Sequence, residues 1–312
     1  MIPVAVILGT YNGESYLNAQ IDSILRQEGV TVQIFARDDG SKDKTVDILR
    51  NYADTHDNFH LMDNGYTTNV GIKNSFMSAL KWALSFSDEY DYFAFSDQDD
   101  VWLSKKLISG VEKIRESTNC NGALYYSNKT IVDENLSVLH QEHFNEQNSF
   151  SNFFFDSKAY GCTIVMNRTL ANLSCQFVSC SAHFHDDWIH RLAICLGSDI
   201  VFDNESHILY RQHSNNNCGT FATDDKSLSH LTKRALSFIK NKDGYKRDLL
   251  AADILNNYGT ILNDDVKAKL QTIADYKKKF GNRFRMIIKP NLSGRRTRDI
   301  LIWRIKVLLG YF

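Results

Sequence analysis

The sequence predicts an α/β fold with a mostly parallel sheet, followed by a helical extension. Three observations carry this. Over residues 1–100, short apolar runs alternate with stretches whose apolar residues recur at helical spacing. Three of those runs end in polar loops loaded with Asp, Asn, Ser and Gly. Beyond residue 222 the strand signal stops and a basic, helical composition begins. Strands alternating with helices imply a sheet covered on both faces, and in such sheets ligands sit beyond the carboxyl ends of the strands.

The elements follow in order. Residues 4–8 form a short apolar strand that ends in Thr10-Tyr11-Asn12-Gly13. Tyr16, Leu17, Ile21, Ile24 and Leu25 then mark a helix. Residues 32–36 form a second strand, ended by Arg37-Asp38-Asp39-Gly40-Ser41, and Val46, Ile48, Leu49 and Tyr52 mark the next helix. Residues 60–62 form a weak third strand, residues 72–86 a helix, and Tyr92-Phe93-Ala94-Phe95 a further strand. Residues 123–127 and 162–166 are expected to be strands, Ile208-Leu209 is strand-like, and residues 189–196 are helical. The polar, aromatic segment 137–158 is expected to be an active-site flap. The expected domains are residues 1–222, holding the chemistry, and residues 223–312, a basic helical region.

Composition narrows the class. The chain has 312 residues, 43% apolar and 23% charged, which suits a globular protein with a sizeable core. Its six cysteines include no C-x-x-C pair, so they read as reduced thiols of a reducing compartment. The start has no basic n-region, and no apolar run reaches about 18 residues, so neither a signal peptide nor a spanning helix is expected. The net charge of −1 hides a split. Residues 226–312 hold 20 Lys and Arg against 7 Asp, a charge of +13, and residues 1–225 carry −14. An acidic body with a basic tail points to an anionic partner, a membrane surface or a nucleic acid.

The richest motif is Ser96-Asp97-Gln98-Asp99-Asp100-Val101-Trp102, directly after the strand at residues 92–95. Crowded carboxylates repel, and a divalent cation is the usual remedy. In an extended segment Asp97 and Asp99 share a face and can share one hard ion; a solvated acidic turn is the bland alternative. Asp38-Asp39-Gly40-Ser41-Lys42-Asp43 offers carboxylates to a pyrimidine N3–H or a ribose hydroxyl, or else caps the following helix. His185-Asp186-Asp187-Trp188 holds a candidate general base, or again a helix start. In Tyr210-Arg211-Gln212-His213, Arg211 is a candidate phosphate contact and His213 a candidate metal ligand. Neither a P-loop nor a G-x-G-x-x-G is present.

In this order, and together with Gly161-Cys162-Thr163, these motifs resemble those of family 2 glycosyltransferases, most nearly bacterial rhamnosyltransferases, over roughly residues 1–220. The resemblance implies an A-type nucleotide-diphospho-sugar transferase fold, Mn2+ or Mg2+ as cofactor, and inversion at the sugar carbon. It implies that Thr10, Tyr11, Asn12, Glu14, Asp39, Asp97, Gln98 and Arg211 hold the nucleotide-sugar. It implies metal ligation by Asp99 and His213, and a base at Asp186 or Asp187, where many relatives have Asp-Trp-Trp. The expected donor is dTDP-L-rhamnose, with a UDP-hexose or UDP-N-acetylhexosamine as alternative. The expected acceptor is a bacterial surface glycan or its lipid-linked precursor. A non-catalytic glycan- or membrane-binding module is the alternative of another class. The motifs suit inverting transfer, which needs one base and a cation for the departing diphosphate. A glycosidase needs two carboxylates flanking one bond and no nucleotide cradle.

Residues 295–312 combine Arg295, Arg296 and Arg298 with an apolar, aromatic run too short to span a bilayer. They read as an interfacial helix on an anionic membrane. Packing on the catalytic domain is the alternative, and nucleic acid binding lacks a motif. The expected location is cytoplasmic, peripheral on the inner face of the plasma membrane.

Overall fold

β1 (Ile2–Thr10), β2 (Val30–Asp38), β3 (Phe59–Leu61) and β4 (Tyr92–Ser96) form the parallel half of one sheet, in the order β3-β2-β1-β4. The computed structural model describes residues 1–63, 68–143, 149–150, 157, 159–213, 246–278, 280–288 and 297–310. Beyond β4 the sheet continues through β8 (Val165–Asn167), β6 (Ala123–Val132), β9 (Asp199–Arg211) and β5 (Val101–Trp102). There β6 and β9 are parallel, while β4–β8, β8–β6 and β9–β5 are antiparallel. β7 (Val138–Gln141) pairs with β6 within the segment expected to be a flap; residues 144–148, 151–156 and 158 of that segment lie outside the described residues.

β1 runs apolar because both its faces are covered. Val4, Val6 and Leu8 join a cluster with Leu17, Ile21 and Ile24 of α1 (Leu17–Leu25), Leu49 of α2 (Thr45–Thr55), and Leu107 and Val111 of α4 (Lys106–Ile114). On the other face, Phe35 and Phe95 meet α3 (Ile72–Phe86): Phe35 sits edge-on to Trp82, and Phe95 edge-on to Phe76. α5 (Arg168–Gln176) and α6 (His185–Leu196) also pack against α3. α5 starts at Asn167, whose side chain accepts from Leu170 N and also from Ala123 N, tying the helix cap to β6.

The structure refines two expected strands. The segment at 162–166 is a 3₁₀ turn at Gly161–Thr163 followed by β8, and the strand-like Ile208-Leu209 is the end of a 13-residue β9. α4, α5, β5 and β7 had no counterpart in the sequence reading.

Contacts divide the chain into two units. One comprises Met1–Ser149, Asp156–Val178 and Phe184–Ser214; the other comprises Phe150–Phe155, Ser179–His183 and Asn215–Phe312. The boundary expected at 222/223 falls outside the described residues. In the second unit the described helices are α7 (Arg247–Tyr258), α8 (Asp264–Ala274), α9 (Phe280–Ile288) and α10 (Thr297–Leu309), and no strand is found among the described residues. Leu250, Ile254, Tyr258, Leu270, Ile273 and Tyr276 are buried there.

Candidate active site

The three loaded loops do converge. The loop after β1 is stitched to the loop after β2 side chain by backbone. Asn12, at φ 50°, receives Lys42 N on its Oδ1 while its own N donates to Ser41 Oγ. Gly13 N donates to Thr45 Oγ1, Glu14 N donates to Asp43, and Glu14 Oε2 receives Lys44 N. Thr10 Oγ1 donates to Asp38 Oδ1 at 3.0 Å. The loop after β4 joins through Gln98, which receives Tyr11 N at 2.8 Å and donates to Tyr11 O at 2.9 Å. That clamp holds Tyr11 by its backbone and leaves the residue 49% exposed, with its ring available to cover a ring of a ligand.

Asp39 is buried and well supplied. Its Oδ1 accepts from Arg37 at 2.7 Å and from Val70 N, and its Oδ2 accepts from Gly71 N. Only part of Oδ2 remains for a ligand. Arg37, which the sequence reading left without a role, also donates to Ser75 of α3 and holds Asp39 in place.

The β4 loop is different. The Asp97 carboxylate accepts no hydrogen bond among the described residues, and the Asp100 carboxylate accepts one, from Arg211 N at 3.1 Å. Asp100 Oδ2 is buried without a partner. Burial first, then the charges of Asp99 and Asp186, pushes the Asp97 carboxyl up; burial, Asp99 and Asp97 push Asp100 up. Lys129 partly offsets both shifts. Its ammonium lies between the rings of Tyr160 and Tyr210, 3.6 and 3.7 Å from their centroids. Lys129 lies past the end of the strand expected at residues 123–127, among Ser127, Asn128 and Thr130, so nothing in its local sequence marks it.

Asp99 accepts from His213 Nε2 at 2.9 Å, so the two expected metal ligands are adjacent. His213 also packs on Tyr16, and the Arg211 guanidinium lies 4.5 Å from the Tyr16 ring centroid. Arg211 Nε donates to the Asp99 carbonyl, so this arginine braces the acidic loop from β9. One ligand atom each from Asp97, Asp100 and Cys162 also lie within 4.8 Å of one another. Three carboxylates short of donors, with an imidazole alongside, fit a hard divalent cation such as Mn2+ or Mg2+. The Cys162 thiol is pushed up by burial and by Asp100 and Asp97, so it stays protonated and does not suit such an ion.

At the start of α6 the adjacent carboxylates part company. Asp186 accepts from Gly161 N at 2.8 Å and Asp187 N at 2.7 Å. Burial still pushes it up to about 6, with Asp187 adding to the rise. Asp187 is buried and paired with Arg191 one turn on, at 2.7 Å. His185 packs its ring on Phe76 at 4.0 Å, and burial pushes it down to about 3, so it stays neutral. Gly161 is required here by space: a Cβ on it would meet His185 Nε2 at 2.5 Å.

A strand-end carboxylate cluster on an α/β sheet, with a half-buried carboxylate of raised affinity for protons beside it, suits a group-transfer enzyme. The chain belongs to glycosyl transferase family 2, whose family model matches residues 5–172. It is 27% identical over 248 residues to the dTDP-rhamnosyl transferase RfbG of Shigella flexneri, covering 75% of this chain and 80% of that one. It is 29% identical over 256 residues to the UDP-Glc:alpha-D-GlcNAc-diphosphoundecaprenol beta-1,3-glucosyltransferase WfgD of Escherichia coli, covering 81% and 87%. Residues 1–349 of S. aureus TarS in complex with UDP share the fold, at a TM-score of 0.55 and 16% identity, over 100% of this chain and 80% of that one. The fold is therefore the A-type nucleotide-diphospho-sugar transferase fold, and the protein is a glycosyltransferase.

Proposed function

We propose that this glycosyltransferase is inverting and metal-dependent, with Asp186 as its base. The observation that carries this is the state of Asp186: oriented by two backbone N–H groups, pushed up to about 6, and close enough to Asp97 for their charges to interact. Near neutral pH such a carboxylate is ionised yet accepts a proton readily, which suits taking one from an acceptor hydroxyl. Asp187, locked to Arg191, positions the helix start rather than reacting. Thr10, Tyr11, Asn12, Glu14, Asp39 and Gln98 shape the nucleoside end, with the Tyr11 ring and the remaining Oδ2 capacity of Asp39 making contact and the others holding the loops. Asp97, Asp99 and His213 would hold Mn2+ or Mg2+. A cation there neutralises charge on the departing diphosphate. Arg211 fixes the loop that carries Asp99.

The donor we assign is dTDP-L-rhamnose, and the acceptor a bacterial surface glycan or its lipid-linked precursor. The Shigella relative supports the donor and the E. coli relative, named for a diphosphoundecaprenol-linked acceptor, supports the acceptor class. That second relative acts on UDP-Glc by name, so a UDP-hexose is the reading to beat. Nucleotide release from a panel of dTDP- and UDP-sugars, with and without Mn2+, decides between them. Release from dTDP-L-rhamnose alone, dependent on Mn2+, is expected; preference for a UDP-sugar overturns the donor. An anionic membrane face is the further partner proposed, reached through the basic C-terminal region; no helix among the described residues is long and apolar enough to cross a membrane.

A further inference from the structure

α9 and α10 each carry an outward apolar stripe opposite a buried side. Met286, Trp303 and Val307 are buried. On the opposite sides, Phe280, Phe284 and Ile288 recur every fourth residue along α9 at 70%, 57% and 64% exposure. Leu301, Ile305, Leu308 and Leu309 recur at three- and four-residue spacing on one side of α10, at 41–59% exposure. The two helices pack on each other, and Arg283 near the start of α9 donates to the Leu308 carbonyl near the end of α10 at 2.9 Å. Scattered exposed apolar residues need no explanation, but two adjacent helices each with an outward stripe do. The sequence here is basic: residues 276–310 hold 11 Lys and Arg against 1 Asp, and although Lys277 and Lys278 are paired with Asp248 and Asp275, Arg285 and Arg304 are exposed on the helices themselves.

We infer that α9 and α10 together form a two-helix foot that lies in the surface of an anionic lipid bilayer, with Phe280, Phe284 and Ile288 entering it alongside Leu301, Ile305 and Leu308. This rests on the membrane partner proposed above and moves half of the contact to α9, upstream of the apolar tail. Apolar stripes with basic residues around them suit the headgroup boundary, where acyl chains take the stripe and anionic headgroups the guanidinium and ammonium groups. A second copy of the chain would have to bring the same basic surface against itself, which charge repulsion opposes.

The test uses the full chain and flotation with phosphatidylglycerol/phosphatidylcholine vesicles at low salt, with pure phosphatidylcholine as the neutral control. The full chain is expected to float with the anionic vesicles only. Phe280→Ser/Phe284→Ser/Ile288→Ser is expected to weaken partitioning roughly 100-fold, as is Leu301→Ser/Ile305→Ser/Leu308→Ser. Both should keep the melting temperature and the Mn2+-dependent donor hydrolysis of the full chain, since the altered residues are exposed. If the full chain floats and the α9 variant floats equally well, the foot is wrong while the membrane partner stands. If the full chain does not float, the membrane partner falls too. Sedimentation that shows a dimer lost in either variant, without vesicle binding, assigns the stripes to a second copy and overturns the inference.

Discussion

The loops after β2 and β4 are both acidic, and their carboxylates live differently. In the first, Asp38 accepts from Thr10, from Ser41 Oγ, and from the N–H groups of Gly40 and Ser41. Asp43 accepts from Glu14 N and from Thr45 twice, and those bonds hold it below the usual carboxylate range against its burial. In the second, the Asp97 carboxylate has no donor among the described residues and the Asp100 carboxylate has one, and both are pushed up. A saturated carboxylate is scaffold, because its lone pairs are spent on its own loop. An undersupplied one has lone pairs left over, which is what the cation-binding role proposed for Asp97 requires. A different contrast separates neighbours in one helix turn: Asp187 is paired with a cation, Arg191, while Asp186 has only neutral backbone donors and is pushed up.

That contrast is open to attack by substitution, and the sharpest test lies in α6. Asp186→Asn should lower turnover by ~10²–10⁴-fold with little change in nucleotide affinity. Asp187→Asn should instead lower the unfolding free energy by about 1.5–3 kcal/mol, because it takes the charge out of a buried hydrogen-bonded pair with Arg191. Turnover and thermal melts on both variants check this. If Asp187→Asn loses turnover at unchanged stability and Asp186→Asn does not, the two roles are exchanged.

Next in size is the metal. Asp99→Asn should abolish the increase in nucleoside diphosphate affinity produced by Mn2+, read by calorimetry with and without the ion. His213→Ala, which removes a neighbour of Asp99, should weaken it by roughly 10–100-fold. Asp38→Asn should leave the Mn2+ effect intact and lower stability by about 1–3 kcal/mol, the usual effect of disturbing a buried, multiply bonded carboxylate. Loss of the Mn2+ effect in Asp38→Asn would erase the distinction between the two loops.

Much of this was legible beforehand, and the reason is positional. Strand ends in an α/β sheet are where ligands bind, and Asp39, Asp97 and Asp99 stand directly after β2 and β4. The parallel half from β1 to β4 was legible because both its faces are buried and its strands run apolar. β7 was not, since all of Val138–Gln141 is exposed and carries no pattern. Nor could the sequence divide binders from scaffold. Asn12 and Glu14 sit at the right place for a nucleotide, yet their side chains are taken by Lys42 N and Lys44 N, bonds that span 30 residues of chain. Lys129 and Cys162 reach the acidic cluster through pairing of strands and turns that no local spacing reveals.

The pH profile tests Asp186 by a smaller, graded effect. Its carboxyl is pushed up to about 6. The working form is the ionised one, so turnover should be flat above about pH 7 and fall as pH drops through 6, tenfold per unit below it. The sign is that of a base: acid removes activity. In Asp186→Asn the residual rate should lose this limb. An unchanged limb in the variant would move the titration to another group and leave Asp186 without the role of base.

The smallest expected effect belongs to Asn12, and it sharpens the scaffold side. Asn12 sits at φ 50° and its Oδ1 receives Lys42 N at 2.8 Å. Asn tolerates this left-handed backbone, Gly is at ease in it, and Ala is strained there by about 1–2 kcal/mol. Both substitutions remove the bond to Lys42, a loss of about 0.5–1.5 kcal/mol. Asn12→Ala should therefore destabilise by the sum of the two, and Asn12→Gly by the bond plus a smaller entropic penalty. If Asn12 is a stitch between loops, nucleotide affinity should follow this order of stability, with Gly nearer to wild type than Ala. If its amide instead contacts the nucleotide, the two variants should lose the same affinity despite their different melting temperatures. Paired melts and calorimetric titrations on the two proteins separate the cases.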